Sequence, residues 1–290
     1  MGIHFDSQCL LCHLERNLEI ANKLGSNEQA MAFARDLMQV YVNAPKEKSS
    51  PWFNPPAADL LHKHYGWDID CYRQEKIDSN RFVMERLDTI AEKINHSDDP
   101  VFAGLQFAIL GNYLDFSALR GNVSFEMLED MLAKALEMEL DAEIYQQFCN
   151  DLSKAKRMLY LTDNAGEIAF DRLFAEAIAR KYPDLQITFC VRGGIATNDA
   201  TREDAKDVGL PFPVIDNGNR VPGTQMDELS QEAQEAFDAA DVIVAKGMGN
   251  CETMFGCGYN VYYAFLVKCK RFVSLFDKPL FTPMFIRDKK

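Results

Sequence analysis

RMLYLTDNAGEIAFDRLFAEAIARKYPDLQITFCV, residues 157–191, reads as a strand, a helix and a second strand. RMLYL (157–161) is a short apolar run without strict alternation, which suits a strand covered on both faces. IAFDRLFAEAIARKY (168–182) carries apolar residues at helical spacing, and QITFCV (186–191) is apolar and rich in β-formers. The same grammar continues downstream. TREDAKDVG (201–209) is a short polar helix, FPVID (212–216) a strand, ELSQEAQEAFDAA (228–240) a helix, DVIVAKG (241–247) a strand and VYYAFLVKC (261–269) the next. Strands alternating with helices predict an α/β fold: a mainly parallel sheet with helices on both faces, in three layers.

Upstream of about residue 155 the grammar is helical. Segments 9–24, 28–42, 56–66, 70–95, 100–110, 124–138 and 141–156 carry apolar residues at helical spacing. NAPKEKSSPWFNPP (43–56) is too rich in Pro and Ser for regular helix. Ser124 suits an N-cap, with Glu126 and Glu129 in the first turns after it. The expected organisation is therefore a helical N-terminal subdomain, 1–155, and an α/β domain, 156–290, with the helices packed against the sheet.

Bulk properties exclude several function classes. The net charge is −13 and no Lys/Arg-rich run offsets it, so nucleic acid is not an expected partner. No 18-residue apolar stretch suggests a membrane span, and MGIHFDSQCLLCHLER lacks the grammar of a signal peptide. Eight dispersed cysteines without such a leader fit reduced thiols and a cytoplasmic location. No feature of the sequence specifies an oligomeric state.

In an open parallel sheet, ligands bind beyond the carboxyl ends of the strands. Three segments there carry polar side chains and glycines: Thr162–Glu167 after the first strand, Arg192–Thr201 after the second, and Lys246–Glu252 after DVIVA. Asp163, Asn164 and Asp199 offer only oxygen ligands, the chemistry of a hard divalent cation such as Mg²⁺ or Mn²⁺. Gly166 allows close backbone approach at a helix start, where free N–H groups attract anions. Lys246 supplies a point charge for a phosphate oxygen, and Asn250 and Glu252 are placed to orient water or a substrate hydroxyl. Taken singly, Asp-Asn at a strand-to-helix turn is commonly just an N-cap. The weight comes from three such segments at one expected edge.

All five histidines lie upstream of residue 100, so the α/β region has none for a Ser-His-Asp or Cys-His mechanism. A metal-activated water requires none. Neither a GxGxxG after the first strand nor a Walker GxxxxGK[ST] is present.

At DNAGE (163–167) with FD (170–171), RGG…NDAT (192–201) and KGMGNCE (246–252) the chain resembles the metal-dependent damage-control phosphatases, long classed as a domain of unknown function. GNYLDF (111–116) and DCYRQEKIDSN (70–80) resemble further elements of that family, and CLLC (9–12) recurs in one of its branches. These pieces span nearly the whole chain in the family's order. Cys71 stands where the family has Pro, and the FDKPLFTPMF ending departs from its pattern.

The resemblance implies a Rossmann-like α/β/α core with a helical N-terminal part. It implies a divalent metal on Asp163, Asn164 and Asp199, phosphate contact by Lys246, and Asn112 and Asp115 reaching the cleft from the helices. The implied substrates are small phosphorylated metabolites, either sugar phosphates or damaged phosphometabolites. In that reading Lys246, Arg192 and backbone near Gly166 hold the phosphate. Water, or Asp163 itself, attacks phosphorus, and Glu167, Asp115 or Glu252 handles the proton. The motifs do not distinguish Mg²⁺, Mn²⁺, Co²⁺ and Ni²⁺.

Two other classes compete. A carboxyl methyltransferase would use the same core to hold S-adenosylmethionine, but methyl transfer needs no oxygen cage. A non-catalytic metabolite-binding protein would not need the full set of acid, amide and lysine. Separately, Cys9-x-x-Cys12 is half of a zinc site; the alternative is two small buried hydrophobes on an apolar helix face.

Overall fold

The computed structural model describes residues 2–114 and 125–288. Its first helices are α1 (Ser7–Leu24), α2 (Asn27–Asn43), α3 (Asn54–Tyr65), α4 (Arg73–Met84), α5 (Leu87–Asn95) and α6 (Pro100–Gly111), followed by α7 (Phe125–Ala133) and α8 (Ala142–Leu152). Local chemistry sets their starts. Asp6 caps α1 through the Gln8 and Cys9 N–H groups. Ser26 and Gln29 form a capping box on α2, and Asp99 with Pro100 opens α6. The stretch 70–95 is two helices rather than one. The Arg86 N–H bonds Val83 O in a tightened turn, and its guanidinium takes the Phe82 carbonyl. The expected Ser124 cap lies outside the described residues.

The α/β part runs β1 (Arg157–Leu161), α9 (Glu167–Lys181), β2 (Gln186–Val191), α10 (Arg202–Asp207), β3 (Val214–Asp216), α11 (Gln231–Ala239), β4 (Val242–Lys246), α12 (Gly247–Met254), β5 (Val261–Leu266), α13 (Lys270–Phe276) and β6 (Pro283–Asp288). The strand order is β3-β2-β1-β4-β5-β6, parallel except for β6, which closes the edge antiparallel to β5. KGMGNCE is not a loop: Gly247, at φ +77°, turns the chain straight from β4 into α12.

Alternate residues of each strand enter opposite layers. Met158, Tyr160, Val242 and Val244 face α9 and α6, whereas Leu159, Leu161, Ile243 and Ala245 face α11, α12 and α13. α6 is apolar on nearly every side because it lies under α9. A Cβ on Gly104 would come within 3.0 Å of the Phe174 backbone, and Gln106 donates to Leu136 O and Met138 O. Residues on both sides of position 155 thus share the larger core. α1, α2 and α3 bury a separate small cluster around Phe33, Leu37 and Leu61. Among the described residues no helix is long and apolar enough to cross a membrane.

Candidate active site

The strand order reverses between β1 and β4, and the crevice beyond their carboxyl ends is where an open sheet of this kind receives ligands. Asp163 stands at that point after β1. Gly247 faces it: an added Cβ would lie 2.0 Å from Asp163 Oδ2, so only glycine fits there. Asn164 and Asp199 are joined by an isolated antiparallel bridge, and Ala200 N–H donates to Asp163 O at 2.7 Å. The two expected ligand segments are therefore tied together by backbone, and Asp163, Asn164 and Asp199 converge.

Around them is a buried charge cluster. Asn112, from the end of α6, donates through Nδ2 to Asp163 Oδ2 (2.9 Å) and Glu167 Oε2 (3.1 Å), while its Oδ1 accepts from Leu266 N–H. Asn164 Nδ2 donates to the same two carboxylates at 2.7 and 3.2 Å. Arg192 donates from Nε to Asp199 Oδ2 at 2.6 Å, and its Nη2 lies 3.8 Å from Asp163 Oδ1. Nη1 and Nη2 of this buried guanidinium have no hydrogen-bond partner. Burial, then the Glu167 and Asp199 charges, push the Asp163 carboxyl well above the usual range against the pull of Arg192 and Lys268.

Other expected site residues stand differently. The Lys246 Nζ is fully buried and donates to Ala108 O (2.7 Å), Glu167 Oε1 (2.5 Å) and Asp171 Oδ1 (2.9 Å), so all three ammonium protons are engaged inside rather than open to a phosphate. Burial would lower its pKa, but Asp171 and Glu167 outweigh that and raise it. Asp171 also accepts from Tyr160 OH at 2.8 Å. Asn250 is buried and does not orient water. It donates to Thr162 O and Lys246 O and accepts from Thr224 Oγ1, which pins α12 to the ends of β1 and β4. The Gly166 N–H is taken by Asn80 Oδ1 at 2.6 Å, so it is not a free anion donor. Asn80 and Lys76 also hold Asp204, which accounts for the DCYRQEKIDSN segment as a brace on the two ligand loops. Asp115 lies outside the described residues.

The centre opens into a cavity of about 690 Å³, of the size that small-molecule sites usually have. Asn112, Asp163, Asn164 and Asp199 line it, and Glu252 lines its wall, its pKa pushed up to about 8 by burial against the pull of Arg271. α1 supplies a further wall with Cys9, Cys12 and Arg16. Cys12 is exposed and Cys9 only half-buried, which corrects the reading of both as core hydrophobes; the buried residues of α1 are His13, Asn17 and Ala21. Among the described residues no three His, Cys, Asp or Glu side chains are grouped to hold a metal, around the cysteine pair or elsewhere.

Sequence reasoning missed Lys268, Lys270 and Arg271, which also line the cavity. VYYAFLVKC reads as one strand through Cys269, but β5 ends at Leu266, so Lys268 follows a strand like the other site residues. β6 starts at Pro283 opposite Leu266, and the backbone pairing runs one residue further before Lys268, with Val267 N–H donating to Thr282 O and Val267 O accepting from Phe281 N–H.

The fold and site define a class: a Rossmann-like α/β protein with an oxygen-rich acidic centre at the carboxyl edge of its sheet. The damage-control phosphatase ARMT1-like domain matches residues 5–281, and the chain belongs to that family. It is 32% identical to a damage-control phosphatase of Pyrococcus horikoshii, over 91% of this chain and 90% of that protein. It is 31% identical to an uncharacterized protein of Methanocaldococcus jannaschii, over 93% and 90%. The crystal structure of a DUF89 family protein from Pyrococcus horikoshii superposes with a TM-score of 0.83, at 26% identity, covering 99% of this chain and all of that one.

Proposed function

We propose that this protein is a metal-dependent phosphomonoester hydrolase of small phosphorylated metabolites, either sugar phosphates or damaged phosphometabolites. The observation that carries the reading is the charge of the centre. Four buried carboxyl groups (Asp163, Glu167, Asp171 and Asp199) meet two buried cations, Arg192 and Lys246. The Asp163 carboxyl is raised first by burial and then by the Glu167 and Asp199 charges of this cluster. Two carboxylates and an amide facing a cavity fit a hard divalent cation, with Asp163, Asn164 and Asp199 as its protein ligands. Such a cation, when bound, supplies Lewis-acid charge toward a phosphoryl oxygen.

The chain's own groups take the remaining roles. Asn112 and Arg192 hold Asp163 and Asp199 in place. Lys268, on the cavity lining, supplies positive charge for the phosphoryl oxygens, while the buried Arg192 acts through Asp163 and Asp199. Glu252, raised to about 8, keeps its proton at neutral pH and donates it to the leaving oxygen. Glu167 is fully buried among Lys246, Asn112 and Asn164, so it sets the position of the cluster rather than moving the proton.

The test is phosphate release from an aryl phosphate and a panel of sugar phosphates. The protein is stripped of metal and then given Mg²⁺, Mn²⁺, Co²⁺ or Ni²⁺. Release restored by metal and absent in Asp163→Ala is the expected result. No release with any metal, together with transfer of a labelled methyl group from S-adenosylmethionine, would replace this reading with the methyltransferase.

A further inference from the structure

The cavity wall carries a group of cationic side chains. Arg16, Lys268, Lys270 and Arg271 all line it, in a chain whose net charge is −13. Three of the four come from one tetrapeptide, Lys268–Arg271, directly after β5. A phosphoryl group at the Asp163 centre is matched by the cation that the centre fits and by Lys268, whose charge already acts on Asp163. Lys270 and Arg271 stand on the same wall beyond these groups.

The acidic residues of the same lining are Asp163 and Asp199, which belong to the centre, with Glu15 and Glu252. Burial raises the Glu252 carboxyl to about 8 against the pull of Arg271, and Glu15 stands on α1. Asp6 takes Nη1 of Arg271 at 2.8 Å, which fixes the guanidinium on the N-terminal end of α1. Arg271 lines the cavity and its side chain keeps 30% of its surface exposed, so the group is not sealed away by its pairing with Asp6. At about 690 Å³ the cavity has room for a molecule larger than one phosphate.

We infer that the substrate carries a second anionic group, a carboxylate or a second phosphate, and that Lys270 and Arg271 receive it. This inference rests on the phosphatase reading for the first group. It narrows the substrates to phosphoesters of acids or to bisphosphates, and separates them from neutral sugar monophosphates.

The experiment is calorimetric binding of a matched pair that cannot be hydrolysed, 3-phosphonopropionate and propylphosphonate, to the Mn²⁺-loaded protein. The carboxylate-bearing probe is expected to bind about tenfold more tightly, the scale of one charge-assisted hydrogen bond in a partly buried site. That ratio should collapse toward one in Lys270→Glu or in Arg271→Gln. Lys270 is exposed, so its variant is expected to fold. Failure to bind 3-phosphonopropionate, equal affinities for the two probes, or a ratio unchanged in both variants would overturn the inference. Phosphate release from 3-phosphoglycerate and glycerol 3-phosphate is measured in parallel. Release from neither sinks the phosphatase reading, while the binding ratio continues to test the second anionic site.

Discussion

Lys246 shows how a residue in an expected motif acquires a role that its motif does not state. Its position after a strand is legible, but its partners Glu167 and Ala108 are 79 and 138 residues away. Removing the ammonium leaves Glu167 and Asp171 buried without it. Lys246→Met is therefore expected to lose about 3–5 kcal/mol in urea unfolding, the usual scale for breaking a buried pair from one side. Lys63 makes a pair of similar length with Asp36 (3.0 Å) but is 68% exposed, so Lys63→Ala should change stability by less than about 1 kcal/mol. Similar losses in both variants would show that the buried cluster is not what holds this edge of the sheet together. That Asp163, Asn164 and Asp199 lie at one edge was readable because they stand in the segments that follow β1 and β2. Asn250 and Gly166 sit in equally suggestive places, and the structure uses them for architecture.

At the scale of an element, α1 docks through a histidine. His13 is 6% exposed, its Nδ1 lies 2.6 Å from Tyr41 OH, and its ring meets Tyr41 and Phe53 edge-on. Burial, with the Arg16 charge added, lowers its pKa to about 4 from an ordinary 6.5. Between those values the unfolded chain binds the proton and the folded chain does not, so stability falls on acidification through that window and is fully present above it. The expected loss from pH 7 to pH 5 is about 2 kcal/mol from this group. A His13→Gln variant should show a flatter urea-midpoint profile there; an unchanged slope would assign the acid sensitivity elsewhere. Element boundaries were the least legible feature. The apolar pattern of VYYAFLVKC continues past Leu266, but β4 turns into α12 after Lys246 and stops pairing with β5 at Ala264, and no local pattern records that.

At the scale of the whole molecule, the site is assembled from parts that share one fold but not one segment. α6 delivers Asn112, the β1 and β2 ends deliver the acidic centre, and α1 with the turn after β5 builds the cavity wall. A divalent cation that binds this assembly and not the unfolded chain must stabilise it. Free Mn²⁺ at a hundredfold its dissociation constant is expected to add about 2.7 kcal/mol. The readout is a rise in Tm in wild type that is absent in Asp163→Ala. A rise that persists in that variant would place the cation at another site.

The sequence by itself determined the α/β class, the helical N-terminal region, and which strand ends carry the acid and amide side chains. Those properties are local: strand burial, helical periodicity and strand-to-helix turns are written in residues a few positions apart. Only the tertiary structure decided which polar residues face the cavity and which are sealed beneath it. It put Lys246 and Asn250 inside, turned Cys12 outward, and brought Lys268, Lys270 and Arg271 to the wall. Side-chain exposure and charge pairing depend on groups far apart in the chain, and burial in a shared low-dielectric core gives those distant charges their strength.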